Sequence, residues 1–225
     1  MPGPLGRVRG VLFDMAGTTV EEAAGGVSAV EAAFVAAFSA HGVVLEPEAV
    51  RRQRGLEKRA AIRRLAPPGW GDGAVEAAYE AFLAELEGAV RSMRAKDGAP
   101  ALFARLRAAG VSVGIGSGFP RATVDALVRH LGWSGRVDYA GSAESVGAGR
   151  PDPAMVVDFM ESCGLSDPLS VLKVGDTEAD IAEGRNAGVV TAGVLGGAHG
   201  RAALSAAGAD YIVEDLAALG RLLPI

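Results

Sequence analysis

Four stretches of the chain end an apolar or glycine-rich run in a side chain that can do chemistry. Val8-Arg9-Gly10-Val11-Leu12-Phe13 leads into Asp14, followed by Met15-Ala16-Gly17-Thr18-Thr19. Val113-Gly114-Ile115-Gly116 leads into Ser117-Gly118, a hydroxyl and free backbone N–H groups just beyond a strand. Gly149-Arg150-Pro151-Asp152-Pro153 offers a cation at a helix start. Leu172-Lys173-Val174-Gly175 leads into Asp176-Thr177-Glu178-Ala179-Asp180, two carboxylates four residues apart at a strand-to-helix turn. A buried parallel strand delivers a carboxylate in this way to its C-terminal edge, where open α/β sheets keep their ligands. Asp14 therefore reads as a nucleophile. Taken singly, each stretch has a purely structural reading, since Ser and Arg are common at helix starts.

These ends have to be held by neighbouring strands of one sheet. Arg7 to Phe13, Val111 to Ile115, Val137 to Ala140, Ser170 to Val174, Val189 to Val194 and Tyr211 to Val213 read as strands. Ala101 to Ala109, Pro120 to Leu131, Pro153 to Cys163, Ala179 to Ala187 and Asp215 to Leu223 read as helices, several stopped by a glycine. The alternation predicts an α/β fold with a doubly wound, parallel, Rossmann-like sheet. Residues 21–94 break the rhythm and read as helices with no convincing strand. Ser28 and Glu31 suit a capping box ahead of a helix with Val30, Phe34, Ala37 and Phe38 on one face. Pro47-Glu48 starts another, and Leu56 to Ala66 turns Leu56, Ala60, Ile62 and Leu65 inward. Asp72 caps a long helix whose stripe runs from Val75 to Met93. The expected division is an α/β core of residues 1–20 and 95–225, with a small helical cap of residues 21–94 inserted after the first strand.

Composition narrows the function. Apolar residues make up 49% of the 225 and charged residues 22%, as in an ordinary globular protein with a proper core. The net charge of -5 argues against nucleic acid as the main partner. No run approaches the roughly 20 apolar residues of a membrane helix, so no membrane association is expected. Asp14 interrupts the one apolar stretch near the N-terminus, so no signal peptide is read and a cytoplasmic location is expected. Cys163 stands alone, which rules out an internal disulfide and suits a reducing compartment.

Together and in this order, the four stretches resemble the motifs of the haloacid dehalogenase superfamily, and a helical insert just after the first motif fits it too. The resemblance implies that Asp14 attacks phosphorus. It implies Mg²⁺ on Asp14, Asp176 and the backbone carbonyl of Ala16, with Asp180 in the outer shell or bound through water. Ser117, the Gly118 N–H and Arg150 would hold phosphoryl oxygens, with Thr18 and Gly55 among the substrate-binding positions.

The departures carry more information. A phosphatase of this superfamily has a second aspartate two residues after the nucleophile, as general acid and base; here it is Ala16. Loss of such a donor typically costs about 10²–10⁴-fold in ester hydrolysis. The lysine usual before the last motif is read as absent, with Arg150 in its stead. Both departures resemble the phosphonatase (phosphonoacetaldehyde hydrolase) branch, as do Asp14 to Thr19 and the run from Val174 through Gly188. That branch also needs a cap lysine within Gly-x-x-Lys, and Gly55-Leu56-Glu57-Lys58 supplies it. A C–P bond breaks toward a carbanion, so an electron sink helps where a proton on oxygen would not. Lys58 would form an iminium with the substrate aldehyde, and Asp14 would take the phosphoryl group. Phosphonoacetaldehyde or a related 2-oxoalkylphosphonate is then the expected substrate, and a homodimer through the cap is what the resemblance implies.

Lys58 must be neutral to attack a carbonyl. Arg51, Arg54 and Arg59 lie close in sequence, and like charges lower an amine's pKa. The cluster is thus expected to activate Lys58 and attract a phosphonate, although Arg51, Arg52, Arg59, Arg63 and Arg64 read individually as a solvated helix face. The phosphonatase pattern has methionine at Arg54, histidine at Ala61 and tyrosine at Phe119. The Arg54 change points to a different or more strongly anionic substrate. His41, His130 and His199 read as structural, with His199 the one plausible neighbour of the site, and Gly196-Gly197 reads as a turn. The competing functions are a phosphatase or phosphomutase acting on a small phosphomonoester, a dehalogenase, and a silent binding protein. A dehalogenase needs no metal, which the pair Asp176 and Asp180 argues against.

Overall fold

The computed structural model describes residues 4–24, 27–223 and 225. Strand β1 (Gly10–Asp14) is buried along its whole length, as an apolar run at the centre of a two-faced sheet must be. Three two-residue strands follow, β2 (Val20–Glu21), β3 (Ala23–Ala24) and β4 (Val27–Ser28). Then come the helices α1 (Ala29–Ser39), α2 (Pro47–Arg51), α3 (Lys58–Leu65) and α4 (Asp72–Ala89), and a short strand β5 (Arg94–Ala95). The α/β rhythm resumes with α5 (Ala99–Ala108), β6 (Ser112–Ser117), α6 (Arg121–His130), β7 (Tyr139–Ser142), α7 (Ala143–Val146) and α8 (Ala154–Ser162). It closes with β8 (Val171–Gly175), α9 (Glu178–Asn186), β9 (Val190–Val194), α10 (Arg201–Ala206), β10 (Tyr211–Val213) and α11 (Leu216–Leu222).

Six strands form one parallel sheet in the order β10-β9-β8-β1-β6-β7. The order reverses at β1, whose neighbours β8 and β6 lead outward in opposite directions. That is a topological switch point, and it opens a crevice at the C-terminal ends of these three strands. The sheet is covered on both faces, Val11 and Phe13 of β1 entering one buried cluster and Leu12 the other. Gly114 and Gly116 mark where α8 presses on the sheet, because a Cβ there would meet Phe159 and Met155.

The structure corrects several details of the sequence reading. Residues 20–28 do contain strands: β2 pairs with β5, and β3 with β4, all antiparallel. The pairing of β2 with β5 brings the chain entering the helical stretch beside the chain leaving it. Each strand is two residues long, too short to show a period of two in sequence. Helix α3 starts at Lys58, which turns Ala61 inward where Ala60 was expected. Asp72 does not cap α4; Gly71 is the cap residue, and Asp72 pairs with Arg63 at 2.8 Å. Trp133 is buried against Phe103, and Trp70 stacks on Phe38.

Candidate active site

The crevice collects the side chains at the ends of β1, β6 and β8. Asp14 ends β1 and is buried, and Ser117 is the last residue of β6 rather than a residue beyond it. Arg150 comes in from the loop ahead of α8. Its Nη1 donates to Asp14 Oδ1 at 2.7 Å and to the Gly55 carbonyl at 3.2 Å. Its Nη2 donates to the Gly116 carbonyl at 2.9 Å, and its Nε to Glu183 at 2.9 Å. So tethered, the guanidinium is a fixed positive charge beside Asp14. The Asp14 carboxyl is raised to about 7, first by burial and then by Asp180 and Asp176, against the lowering effect of Arg150 and Lys173.

Asp14, Asp176 and Asp180 each bring one carboxylate oxygen to within 4.8 Å of the others. Thr18 donates its hydroxyl to Asp176 Oδ1 at 2.8 Å, and the Ala198 N–H donates to Oδ2 at 2.7 Å. Thr18 thus orients Asp176, a different task from the substrate contact expected of it. Asp180 Oδ2 accepts the Thr177 hydroxyl at 2.6 Å, while its Oδ1 lies 3.0 Å from Lys173 Nζ and 3.2 Å from Arg150. Glu183 pairs with the same two cations. Four carboxylates (Asp14, Asp176, Asp180 and Glu183) therefore meet two cations, a buried excess of two negative charges. Burial, and after it the nearby Asp180, raise the pKa of Asp176 as they do that of Asp14. Hard oxygen donors with a deficit of two positive charges fit Mg²⁺.

The helical stretch between β2 and β5 meets this crevice through the loop ahead of α3. Gly55 has a left-handed φ of 82°, and a Cβ there would strike Thr177. A Cβ on Gly118 would strike the Leu56 carbonyl, and one on Gly149 would strike Glu57. These glycines let the loops at Gly118, Gly149 and Thr177 close around the loop ahead of α3. Lys58 begins α3, where Glu57 caps the helix by accepting the Arg59 and Ala60 N–H groups. Its Nζ donates to the Leu56 carbonyl at 2.9 Å and lies 5.2 Å above the centre of the Phe119 ring. Burial lowers the Lys58 pKa to about 8, with Arg54 the next cause, and Asp14 and Arg150 acting across the crevice.

The arginine cluster therefore divides. Arg51 pairs with Glu48, Arg59 with Glu76 and Arg63 with Asp72 on the exposed surface. Arg54 alone is buried, bonded to Glu22 and Ser28 with Glu31 at 3.6 Å. Burial, more than a cluster of like charges, is what depresses Lys58. The Arg54 charge is met by its own carboxylates, which removes the reason to read it as a sign of a more anionic substrate.

The sequence matches the haloacid dehalogenase-like hydrolases over residues 8–188. This chain belongs to that family. It is 33% identical over 204 residues to the phosphonoacetaldehyde hydrolase of Bordetella pertussis, covering 84% of this chain and 73% of the relative. It is 30% identical over 210 residues to that of Bacteroides fragilis, covering 86% and 78%. A phosphonoacetaldehyde hydrolase-like protein from Oleispira antarctica shares the fold with a TM-score of 0.86 at 23% identity, over 96% of this chain and 91% of that one.

Within this hydrolase, three features escaped the sequence reading. Lys173, three residues before Asp176, is buried on β8 between Asp180 and Glu183. A lysine inside the run Val171-Leu172-Lys173-Val174 was the available signal, because an ionisable group there has to be paired. Lys96, just past β5, donates to the Gly17 carbonyl at 2.6 Å and the Gly196 carbonyl at 3.1 Å. The Gly196-Gly197 loop is more than a turn, since a Cβ on Gly197 would fall on Asp176. His199 lies beside this loop, where its Nδ1 accepts the Glu178 N–H.

Proposed function

We propose that this hydrolase cleaves the C–P bond of phosphonoacetaldehyde or a related 2-oxoalkylphosphonate. The observation that carries the reading is Lys58: a buried amine, depressed to about 8, whose one hydrogen bond among the described residues is to a backbone carbonyl. An amine in that state is a nucleophile toward an aldehyde near neutral pH. Ala16 stands where ester hydrolysis would want an acid, and C–P cleavage has no alkoxide to protonate. The names of the relatives at 30–33% identity support the same reaction.

In this reading residues 21–94 act as the cap and carry Lys58 to the core. Lys58 condenses with the aldehyde, releasing water, and the imine takes up a proton. Asp14 then attacks phosphorus, held in line by Arg150 and anchored in turn by it. The C–P electrons pass into the enamine, which is protonated on carbon. Water hydrolyses the acyl phosphate on Asp14 and the imine on Lys58, giving phosphate and acetaldehyde. Ser117 accepts the Phe119 N–H at 3.1 Å and uses its own proton on a phosphoryl oxygen, with the Gly118 N–H beside it. Asp14, Asp176 and Asp180, with the Ala16 carbonyl, would hold Mg²⁺, which supplies charge neutralisation for the phosphoryl group and the attacking carboxylate.

The test is paired product release. Wild-type protein with Mg²⁺ should yield acetaldehyde and phosphate in equal amounts from phosphonoacetaldehyde. Phosphate from ordinary phosphomonoesters at a rate indifferent to Lys58→Ala would assign a phosphatase instead.

A further inference from the structure

Helix α3 serves the site with one face and presents another. Lys58 faces inward, whereas Ala60 and Arg64 line a cavity of about 480 Å³ on the seam between cap and core. Tyr79 and Phe119 form its aromatic walls, and Gly118 and Arg150 its inner end. The inner end is therefore the phosphoryl side of the site. A cavity of this size lies within the range that encloses drug-sized ligands, far beyond the needs of a two-carbon aldehyde.

The charges on its wall are unequally occupied. Arg59 is held in a two-point contact by Glu76, at 2.9 and 2.8 Å, and covers the Tyr79 ring. The Glu57 carboxylate caps α3, and Glu144 accepts the Arg121 N–H. Arg64 has no carboxylate partner among the described residues. It stands seven residues along α3 from Glu57, about 10 Å at the helical rise.

We propose that this cavity is a distal subsite, and that the preferred substrate carries a carbon chain beyond its carbonyl, ending in an anion that Arg64 receives. The proposal rests on the inner end being a phosphonate site. It names the substrate class: a long-chain 2-oxoalkylphosphonate with a carboxylate or similar group at its far end.

The test is binding of saturated ω-carboxyalkylphosphonates of two to eight carbons to the Mg²⁺-loaded protein, by titration calorimetry. These probes have no carbonyl, so they report the subsite whether or not C–P cleavage occurs. Affinity should rise by roughly two- to four-fold per methylene along the aromatic walls. It should take a further step of about three- to five-fold where the carboxylate reaches Arg64. Arg64→Gln should remove that last step, and alkylphosphonates lacking the carboxylate should show no such step in either protein. Ala60→Trp, which fills the cavity from an exposed helix position, should lower the long-to-short affinity ratio about tenfold. Affinity flat or falling with chain length, no binding at all, or an Arg64→Gln protein with the step intact would overturn the proposal. Correct binding without cleavage of phosphonoacetaldehyde would instead overturn the reaction and leave the subsite standing.

Discussion

Lys58 and Lys173 are two buried amines serving one crevice, one from the cap and one from the central sheet. Lys173 is 0% exposed and sits 3.0 Å from Asp180 and 3.1 Å from Glu183. Lys58 is 4% exposed and has only a backbone carbonyl and the face of Phe119. Both are buried, but of the two only Lys173 is directly paired with carboxylates among the described residues. Paired with two acids, a lysine is a structural counter-charge. Left with one neutral acceptor, it loses its proton readily and becomes reactive. Lys173, within the sheet, is thus matched by geometry, whereas Lys58 enters the crevice with no carboxylate in contact among the described residues.

The widest effect expected lies at the carboxylate that both lysines serve. Asp14→Asn should lower turnover by on the order of 10⁴-fold or more, measured as phosphate release. Lys58→Arg keeps the charge but cannot form an imine, and should cost about 10³-fold on an aldehyde substrate. Equal turnover by this variant would dissolve the contrast between the two lysines.

Stability should separate them in the opposite sense. Lys173→Met strands two buried acids and should cost about 3–5 kcal/mol in denaturant unfolding. Lys58→Met replaces a poorly solvated amine by an apolar chain of similar size and should leave stability within about 1 kcal/mol of wild type, or raise it. Lys58 also imposes a pH dependence whose sign is fixed. Its pKa is about 8 folded against 10.5 unfolded, so between these values the unfolded chain binds more protons and stability rises with pH. Relative to Lys58→Met, wild-type protein should gain on the order of 3 kcal/mol from pH 8 to 10.5. Asp14 gives the smallest effect. With its carboxyl raised to about 7, Mg²⁺ affinity should fall about tenfold from pH 8 to pH 6, as protons compete for the ligand. A flat profile would mean that Asp14 is ionised throughout.

Most of the sheet could be read from sequence because its strands are apolar runs that end abruptly. Asp14, Ser117 and Asp176 were legible for the same reason, as polar residues at those ends. Lys58 was legible through Gly-x-x-Lys, a spacing that makes sense once Gly55 is seen against Thr177. What stayed hidden depends on partners far away in sequence. Thr18 looked free to meet substrate until Asp176, 158 residues on, took its hydroxyl proton. Arg54 looked like a spare cation until Glu22 came beside it. Lys173 passed unnoticed inside its apolar strand, because its acids lie on the following helix α9. Local pattern gives the elements and their ends; which charges cancel is decided only when the ends converge.

The central claim is that Lys58 forms an imine with the substrate carbonyl. Borohydride reduction during turnover of phosphonoacetaldehyde, followed by peptide mass mapping, tests it most directly. The expected result is a reduced adduct on Lys58, none on Lys173, and progressive loss of activity as the adduct forms. Sustained turnover through borohydride treatment with Lys58 unlabelled would contradict it.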